Sequence, residues 1–240
     1  RYTWRYWDMI KSEGKAKSVS FVVEDTLHPL GVYKGSKKLA ADAGLKVLSS
    51  DIIPAETRDF TPVITKLKSK NPDIVYVSSN IPFAINFMKQ AKEMKLNPKE
   101  YHCIHHSGVF KEPLGKEADY VVGQSYWVEG MKLGDPELIV NVLKNSKVSE
   151  PMYPWAPAYV AAFQIAQAAL EKAGTLDKKA VMDALKGLKL ETVLGTAQFH
   201  KTGYGTINTY PSQIQGDKYV VIWPKDVATG KHVYPRPAWK

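Results

Sequence analysis

The sequence predicts an α/β protein built on a mainly parallel sheet with helices on both faces. Three short runs rich in Val, Ile and Phe alternate with three longer runs in which apolar residues recur every three to four positions. This alternation indicates βαβ units, which form parallel sheets. The predicted strands are 17–25, 45–53 and 73–78, and the predicted helices are 31–43, 61–70 and 81–95. Ligands bind outside the carboxyl ends of parallel strands, so we expect the functional site in the turns that follow them.

Further elements are predicted on both sides of this alternating core. Aromatic residues at helical spacing in residues 1–10 predict an entry helix that packs on the sheet. The later elements are strands 101–106 and 119–128, helices 137–144, 159–173 and 175–188, an antiparallel segment 192–223 with a turn at 201–205, and an extended strap at 228–240 with a proline-rich end. The turn-rich segment 130–136 is the expected boundary. We therefore expect a complete α/β domain at 1–130, and at 131–240 a crossover, the returning part of another lobe, and the strap.

Composition limits the partners that we expect. The 240 residues carry a formal net charge of +9 and a pI near 9.3, mostly from lysines interleaved with acids on predicted helices. Specific base readout favours arginine, which is rare here, so we expect solvated lysine faces and no nucleic acid partner. No apolar run approaches the roughly 18 residues of a membrane span. The chain begins at Arg1 without a signal-peptide pattern, so we expect any signal peptide to have been removed already.

The sequence offers little catalytic chemistry. It has no Gly-x-Ser-x-Gly elbow, no Gly-x-Gly-x-x-Gly after the first strand and no Walker loop. Cys103, the single cysteine, lies in an apolar strand pattern that is typical of a buried residue. On a strand, His105 and His106 would point to opposite faces, and His102 and His106 would be too far apart for one ion. We therefore predict no enzyme, no metal site and no cofactor.

A set of short motifs occurs in a particular order along nearly the whole chain. They are 19–26 with Gly31, 59–66, 71–76, 87–94, 114–118 with 122–123, 158–162, 198–199 with Gly203, and 219–224. No single motif is specific, but the ordered set resembles the type I periplasmic solute-binding proteins of ABC transporters, in the Leu/Ile/Val-binding group. The resemblance implies a flavodoxin-like or Rossmann-like lobe, complete at about 17–128, and the returning part of a second lobe at about 134–224. The resemblance also leads us to expect an earlier lobe segment before the point where this chain begins.

The resemblance also implies a function. It describes an extracytoplasmic protein, secreted or lipid-anchored, whose two lobes close on a small ligand and deliver it to a permease. The permease would be its contact with the membrane. The implied ligand-binding residues lie in the turns after strands one, three and four and near the lobe interface. They are Thr26, His28, Leu30, Ser78, Ser79, Asn80, His105, His106, Ser107, Tyr126, Trp127, Tyr153 and Trp155. From the residues alone, Ser78–Asn80 could equally cap the helix that begins near Pro82.

Two positions depart from the pattern of the amino acid binders in this group. Leu30 stands where they tend to have a Tyr, and Ser107, flanked by His106, stands where they have an acid that holds the ligand's ammonium. A buried ammonium without a carboxylate partner is costly, so we predict an organic or aromatic acid rather than an amino acid.

Three alternatives stay open at this point. A ligand-sensing regulatory module would share the fold. An enzyme on a flavodoxin-like sheet would need His106 or Cys103. Half of a binding protein could also lack activity, because a fold does not fix a function.

Overall fold

The computed structural model describes residues 2–147, 154–200 and 202–239, and the chain divides into two units. The first unit comprises Arg1–Ser125 and Tyr210–Lys240, and the second comprises Tyr126–Thr209. The elements of the first unit up to its last parallel strand are α1 (Trp4–Glu13), β1 (Ser18–Glu24), α2 (Leu27–Asp42), β2 (Lys46–Ile53), α3 (Thr61–Lys70), β3 (Ile74–Ser78), α4 (Ile81–Glu93), β4 (Glu100–Cys103), α5 (Gly108–Leu114), a 3₁₀ helix (Gly115–Ala118) and β5 (Val122–Ser125).

The second unit and the return to the first follow in chain order. The second unit contains α6 (Pro136–Asn145), α7 (Ala156–Ala173), α8 (Lys178–Lys186), β6 (Lys189–Thr192) and β7 (Gly195–Gln198), and the first unit resumes with β8 (Tyr210–Gln215) and β9 (Lys218–Val221). Aspartates cap two of these helices: Asp135 Oδ1 accepts from the Leu138 N–H, and Asp177 Oδ1 accepts from the Ala180 N–H, each at 2.9 Å. Such caps satisfy donors that the first turn of a helix leaves unpaired.

Within the described residues, a seven-stranded sheet organises the first unit, in the order β2-β1-β3-β4-β5-β8-β9. The strands β1 to β5 pair in parallel, and β8 pairs antiparallel with both β5 and β9. The predicted α/β class with a parallel sheet is confirmed. The turns after β1, β3 and β4 lie side by side because these strands are neighbours in the sheet.

Helices cover both faces of this sheet, which explains why its central strands β1 and β3 are nearly continuous apolar runs. Val22 and Val77 face the core under α3, α4 and α5, while Phe21 and Tyr76 face the core under α1 and α2. The predicted entry helix is α1, and its Trp7 ring stacks on Tyr76 with centroids 5.2 Å apart. Aromatic residues of α1 therefore pack in the core.

The two compact units have other bounds than the expected domains. The first segment ends at Ser125 rather than at residue 130, and 210–240, expected with 131–240, belong to the first unit. The predicted antiparallel segment 192–223 is split between the β6–β7 hairpin of the second unit and the β8–β9 pair of the first. The physical reason is that β8 pairs with β5 and covers the edge that β5 would otherwise expose.

Candidate functional site

The turns after β1, β3 and β4 form an interlocked group at the carboxyl ends of the strands, which we call the carboxyl-edge cluster. Its members are Glu24, Thr26, His28, Ser78, Ser79, Asn80 and His105. They come from three separate parts of the sequence, and the parallel sheet brings them together. Most of the predicted turn residues therefore lie close together.

The buried carboxylate of Glu24 joins the turn after β1 to the turn after β3. Glu24 is 4% exposed, and its Oε2 accepts from the Asn80 backbone N–H at 2.5 Å. Its Oε1 accepts from Asn80 Nδ2 at 3.0 Å, and the same amide group lies 3.3 Å from Thr26 Oγ1. Glu24 was not among the predicted site residues. The signal that could have identified it is an acid at the last position of an otherwise apolar strand.

Two histidines stack at the solvent side of the cluster. The rings of exposed His28 and half-buried His105 are 5.2 Å apart and inclined by 24°. His105 Nδ1 lies 3.0 Å from the Ser79 carbonyl oxygen, so this nitrogen carries the proton that is donated. Burial lowers the pKa of His105, although the hydrogen bond to Ser79 acts to raise it. Its ring is therefore neutral at pH 7 and presents an aromatic face beside Tyr2, whose ring is 5.7 Å from His28.

Other predicted residues in these turns have supporting positions. The buried Ser78 hydroxyl donates to the Pro29 carbonyl at 2.8 Å and fixes the first helical turn of α2, which carries His28. Leu30 is half-buried and packs against the core under α1 and α2. Ser107 is 4% exposed and is the residue before α5. These contacts hold the turns in place.

The structure does not support the predicted role of His106 at the mouth of the site. His106 is fully buried, with Nε2 2.9 Å from Ser212 Oγ on β8, and burial lowers its pKa to about 3. It occupies space left by Gly123 on β5, where an added Cβ would lie 2.3 Å from the His106 ring. The reason is that β4 ends at Cys103, so the strand alternation assumed for 101–106 does not reach residue 106.

The two groups needed by an enzyme on this sheet are inaccessible. Cys103 is fully buried and burial raises the pKa of its thiol, while His106 is buried and neutral. His102 is also buried, stacked on Tyr76 with centroids 4.3 Å apart. No group of three or more metal-ligating side chains occurs in the described part of the chain. This geometry argues against catalysis by Cys103 or His106.

The remaining predicted site residues belong to the second unit. The ring of Tyr126 meets Trp155 edge-on at 5.5 Å, and the Tyr126 N–H donates to the Pro154 carbonyl at 2.8 Å. Trp127 is 2% exposed, and Tyr153 lies outside the described residues. The predicted aromatic group is therefore present in part, as a Tyr126–Trp155 pair.

Comparison with known proteins gives a consistent family. Residues 5–218 match the sequence profile described as periplasmic binding protein. A leucine-, isoleucine-, valine-, threonine- and alanine-binding protein of Pseudomonas aeruginosa is 28% identical over 201 residues, covering 79% of this chain and 50% of that protein. A Leu/Ile/Val-binding protein homolog of Brucella melitensis is 25% identical over 211 residues, covering 82% and 53% respectively. The chain spans about half the length of these relatives.

Solved structures show the same fold. A leucine-binding protein of Thermotoga maritima superposes with a TM-score of 0.79 at 14% identity, covering 92% of this chain and 63% of that one. A solute-binding protein of an ABC transporter from R. palustris, in complex with benzoate, superposes with a TM-score of 0.74 at 16% identity, covering 95% and 63%. No helix in the described ranges is long and apolar enough to cross a membrane. The family profile covers most of the sequence, and the chain belongs to the periplasmic binding protein family.

Proposed function

We propose that this chain is part of the solute-binding component of an ABC transporter, which binds a small organic ligand outside the cytoplasm and delivers it to a membrane permease. The family membership and the names of the relatives support this proposal. Closure of two lobes around the ligand would be the binding movement.

The observation that carries the proposal is the carboxyl-edge cluster. Three turns at the ligand-binding end of a parallel sheet are fixed to one another by the Glu24–Asn80, Ser78–Pro29 and His105–Ser79 hydrogen bonds. A site that is rigid before binding loses less conformational entropy when the ligand enters. The stacked rings of His28 and His105 give this rigid edge a flat aromatic surface.

We further propose that the ligand is an organic or aromatic acid. An α-ammonium would need an accessible carboxylate, but Glu24 is 4% exposed and is held by Asn80, and Ser107 stands where an acid would follow β4. The exposed His28 ring, which stacks on the neutral His105 ring, offers an aromatic ligand a flat surface. The benzoate bound by the similar R. palustris protein fits this ligand class.

The two units support a two-lobe organisation. The first unit, with its sheet covered on both faces, is proposed to be a complete lobe, and the second unit is proposed to be part of the other. In the second unit α7 buries Ala161 and Ala169 but exposes Tyr159 by 65% and Phe163 by 76%. Such a large exposed apolar surface on a helix is typical of an interaction face.

Isothermal titration of the protein with benzoate and with leucine tests this function. We expect benzoate to bind more tightly than leucine, and His28→Ala to weaken benzoate binding by about tenfold through loss of the aromatic face. The matched control is Lys34→Ala, an exposed α2 residue that should leave benzoate binding unchanged. Tighter binding of leucine would contradict the ligand class, and no binding of either compound would contradict the proposed function for this chain.

A further inference from the structure

A second concave site lies in the first unit, among residues that have no part in the carboxyl-edge cluster. This site, which we call the α1–strap cavity, has a volume of about 760 Å³ and lies between the end of α1 and the segment that follows β9. It is lined by Ser12, Glu13, Lys15, Ile222, Trp223, Lys225, Ala228, Thr229, Gly230, Lys231 and His232. This volume lies within the range of small-ligand sites.

The lining of this cavity is positively charged. Lys15 pairs with Glu13 at 3.2 Å, and His232 lies between Glu13 and Glu100. Within the described residues, Lys225 and Lys231 are exposed and have no carboxylate within ion-pair distance. Two ammonium groups therefore remain to attract an anion.

The walls of the cavity are fixed by contacts beneath them. Trp223 Nε1 donates to Asp8 Oδ2 at 2.9 Å, which holds the indole against α1. Thr229 Oγ1 accepts from the Val221 N–H at 3.0 Å, and its own proton remains to be donated. Gly230 packs so closely on β9 that an added Cβ would lie 2.6 Å from a Val220 methyl carbon. The loop that carries both lysines is thus held on the strand.

We propose that the α1–strap cavity is an anion site that takes a phosphate-bearing ligand. Lys225 and Lys231 would donate to the phosphate oxygens, the Ser12 and Thr229 hydroxyls would add neutral donors, and the Trp223 indole would form a flat wall. Phosphate is the group that suits two separate ammonium donors, since it offers several charged oxygens at once. The phosphate could belong to a soluble phosphate ester or to a phospholipid headgroup. This site is independent of the ligand proposed for the carboxyl-edge cluster.

Titration with inorganic pyrophosphate at a fixed ionic strength of about 0.15 M tests the site. The readout is the indole N–H resonance of Trp223 in ¹⁵N spectra, assigned by its loss in Trp223→Phe. We expect saturable shifts of this resonance, and binding weakened about tenfold or more in the double variant Lys225→Ala/Lys231→Ala. The matched control is Lys34→Ala/Lys89→Ala, which removes two exposed lysines of the same unit and should preserve the affinity.

The source of the phosphate is separated by sedimentation with vesicles. A lipid headgroup would be identified if the protein sediments with vesicles that contain phosphatidylglycerol but not with vesicles of pure phosphatidylcholine. The Lys225→Ala/Lys231→Ala variant should then lose this sedimentation. Pyrophosphate binding without vesicle retention would identify a soluble ester. The proposal is overturned if pyrophosphate causes no saturable shift, or if both double variants bind it equally well.

Discussion

The histidine that anchors the strap to α1 and β4 offers a quantitative test of the structure. His232 is buried, with Nε2 2.6 Å from Glu100 Oε2 and Nδ1 3.0 Å from Glu13 Oε2. Burial disfavours its charge, but the hydrogen bonds to the two carboxylates raise the pKa of His232 to about 9. Relative to its ordinary value of 6.5, this shift corresponds to about 3 kcal/mol of stability.

The sign of the pH dependence follows from the direction of this shift. Because the folded-state pKa is raised, the stabilisation is fully present below pH 6.5 and is lost as the pH rises toward 9. Burial opposes the ionisation of Glu13, yet hydrogen bonding to His232 and the imidazolium charge lower the pKa of Glu13. Its contribution is therefore lost as the pH falls below the ordinary glutamate range. The interaction of His232 with Glu13 therefore stabilises the strap most at pH values above the ordinary glutamate range and below about 6.5.

Urea denaturation at several pH values, with wild type and His232→Gln, measures the effect. We expect the free energy of unfolding of wild type to exceed that of the variant by about 3 kcal/mol at pH 6, and the difference to disappear by pH 10. His200→Gln removes an exposed histidine of the second unit and should leave the pH profile unchanged. If His232→Gln does not fold, an NMR titration of wild-type His232 replaces it. Parallel pH profiles, or an NMR pKa near 6.5, would refute the reasoning.

Three further substitutions test the packing behind the candidate site. Gly123→Ala should destabilise the fold by about 3 kcal/mol or more, because the added Cβ would overlap His106. Gly31→Ala, in open space on α2, should instead stabilise the fold by about 0.5–1 kcal/mol. Equal shifts in the melting temperatures of the two variants would contradict the burial of His106. Asn80→Ala should cost about 1–3 kcal/mol, because one donor to the buried Glu24 carboxylate is removed, and chemical denaturation that shows no loss would exclude that role.

The elements with clear periodicity could be predicted from the sequence. Helix α3 has the predicted bounds, and β2 and β3 each begin one residue later than predicted and end where predicted. Apolar spacing is a local property that carries both the type and the length of an element. The rule for parallel sheets placed the site at the carboxyl ends of the strands, and the family resemblance selected the turns after β1, β3 and β4.

The contacts that the sequence did not reveal are all long-range. The pairing of β8 with β5 joins Tyr210 to Ser125 and returns residues 210–240 to the first unit. The burial of His106 depends on Gly123 and on Ser212, which lie on other strands. The position of Asn80 depends on Glu24, at the end of another strand. Periodicity carries no information about such partners, so these errors share one physical cause.

Burial separates the six histidines into groups with different chemistry, and this limits how a ligand can be recognised. His102 and His106 are neutral parts of the core, because burial lowers both of their pKa values. His232 is a buried cation whose charge is offset by two carboxylates. In the first unit this leaves the stacked pair at the carboxyl edge, where exposed His28 covers the neutral His105 ring. A ligand that meets this edge therefore encounters the aromatic surface of His28, while the Glu24 carboxylate of the cluster is buried and bound to Asn80. This is the physical basis for proposing an aromatic acid rather than an amino acid.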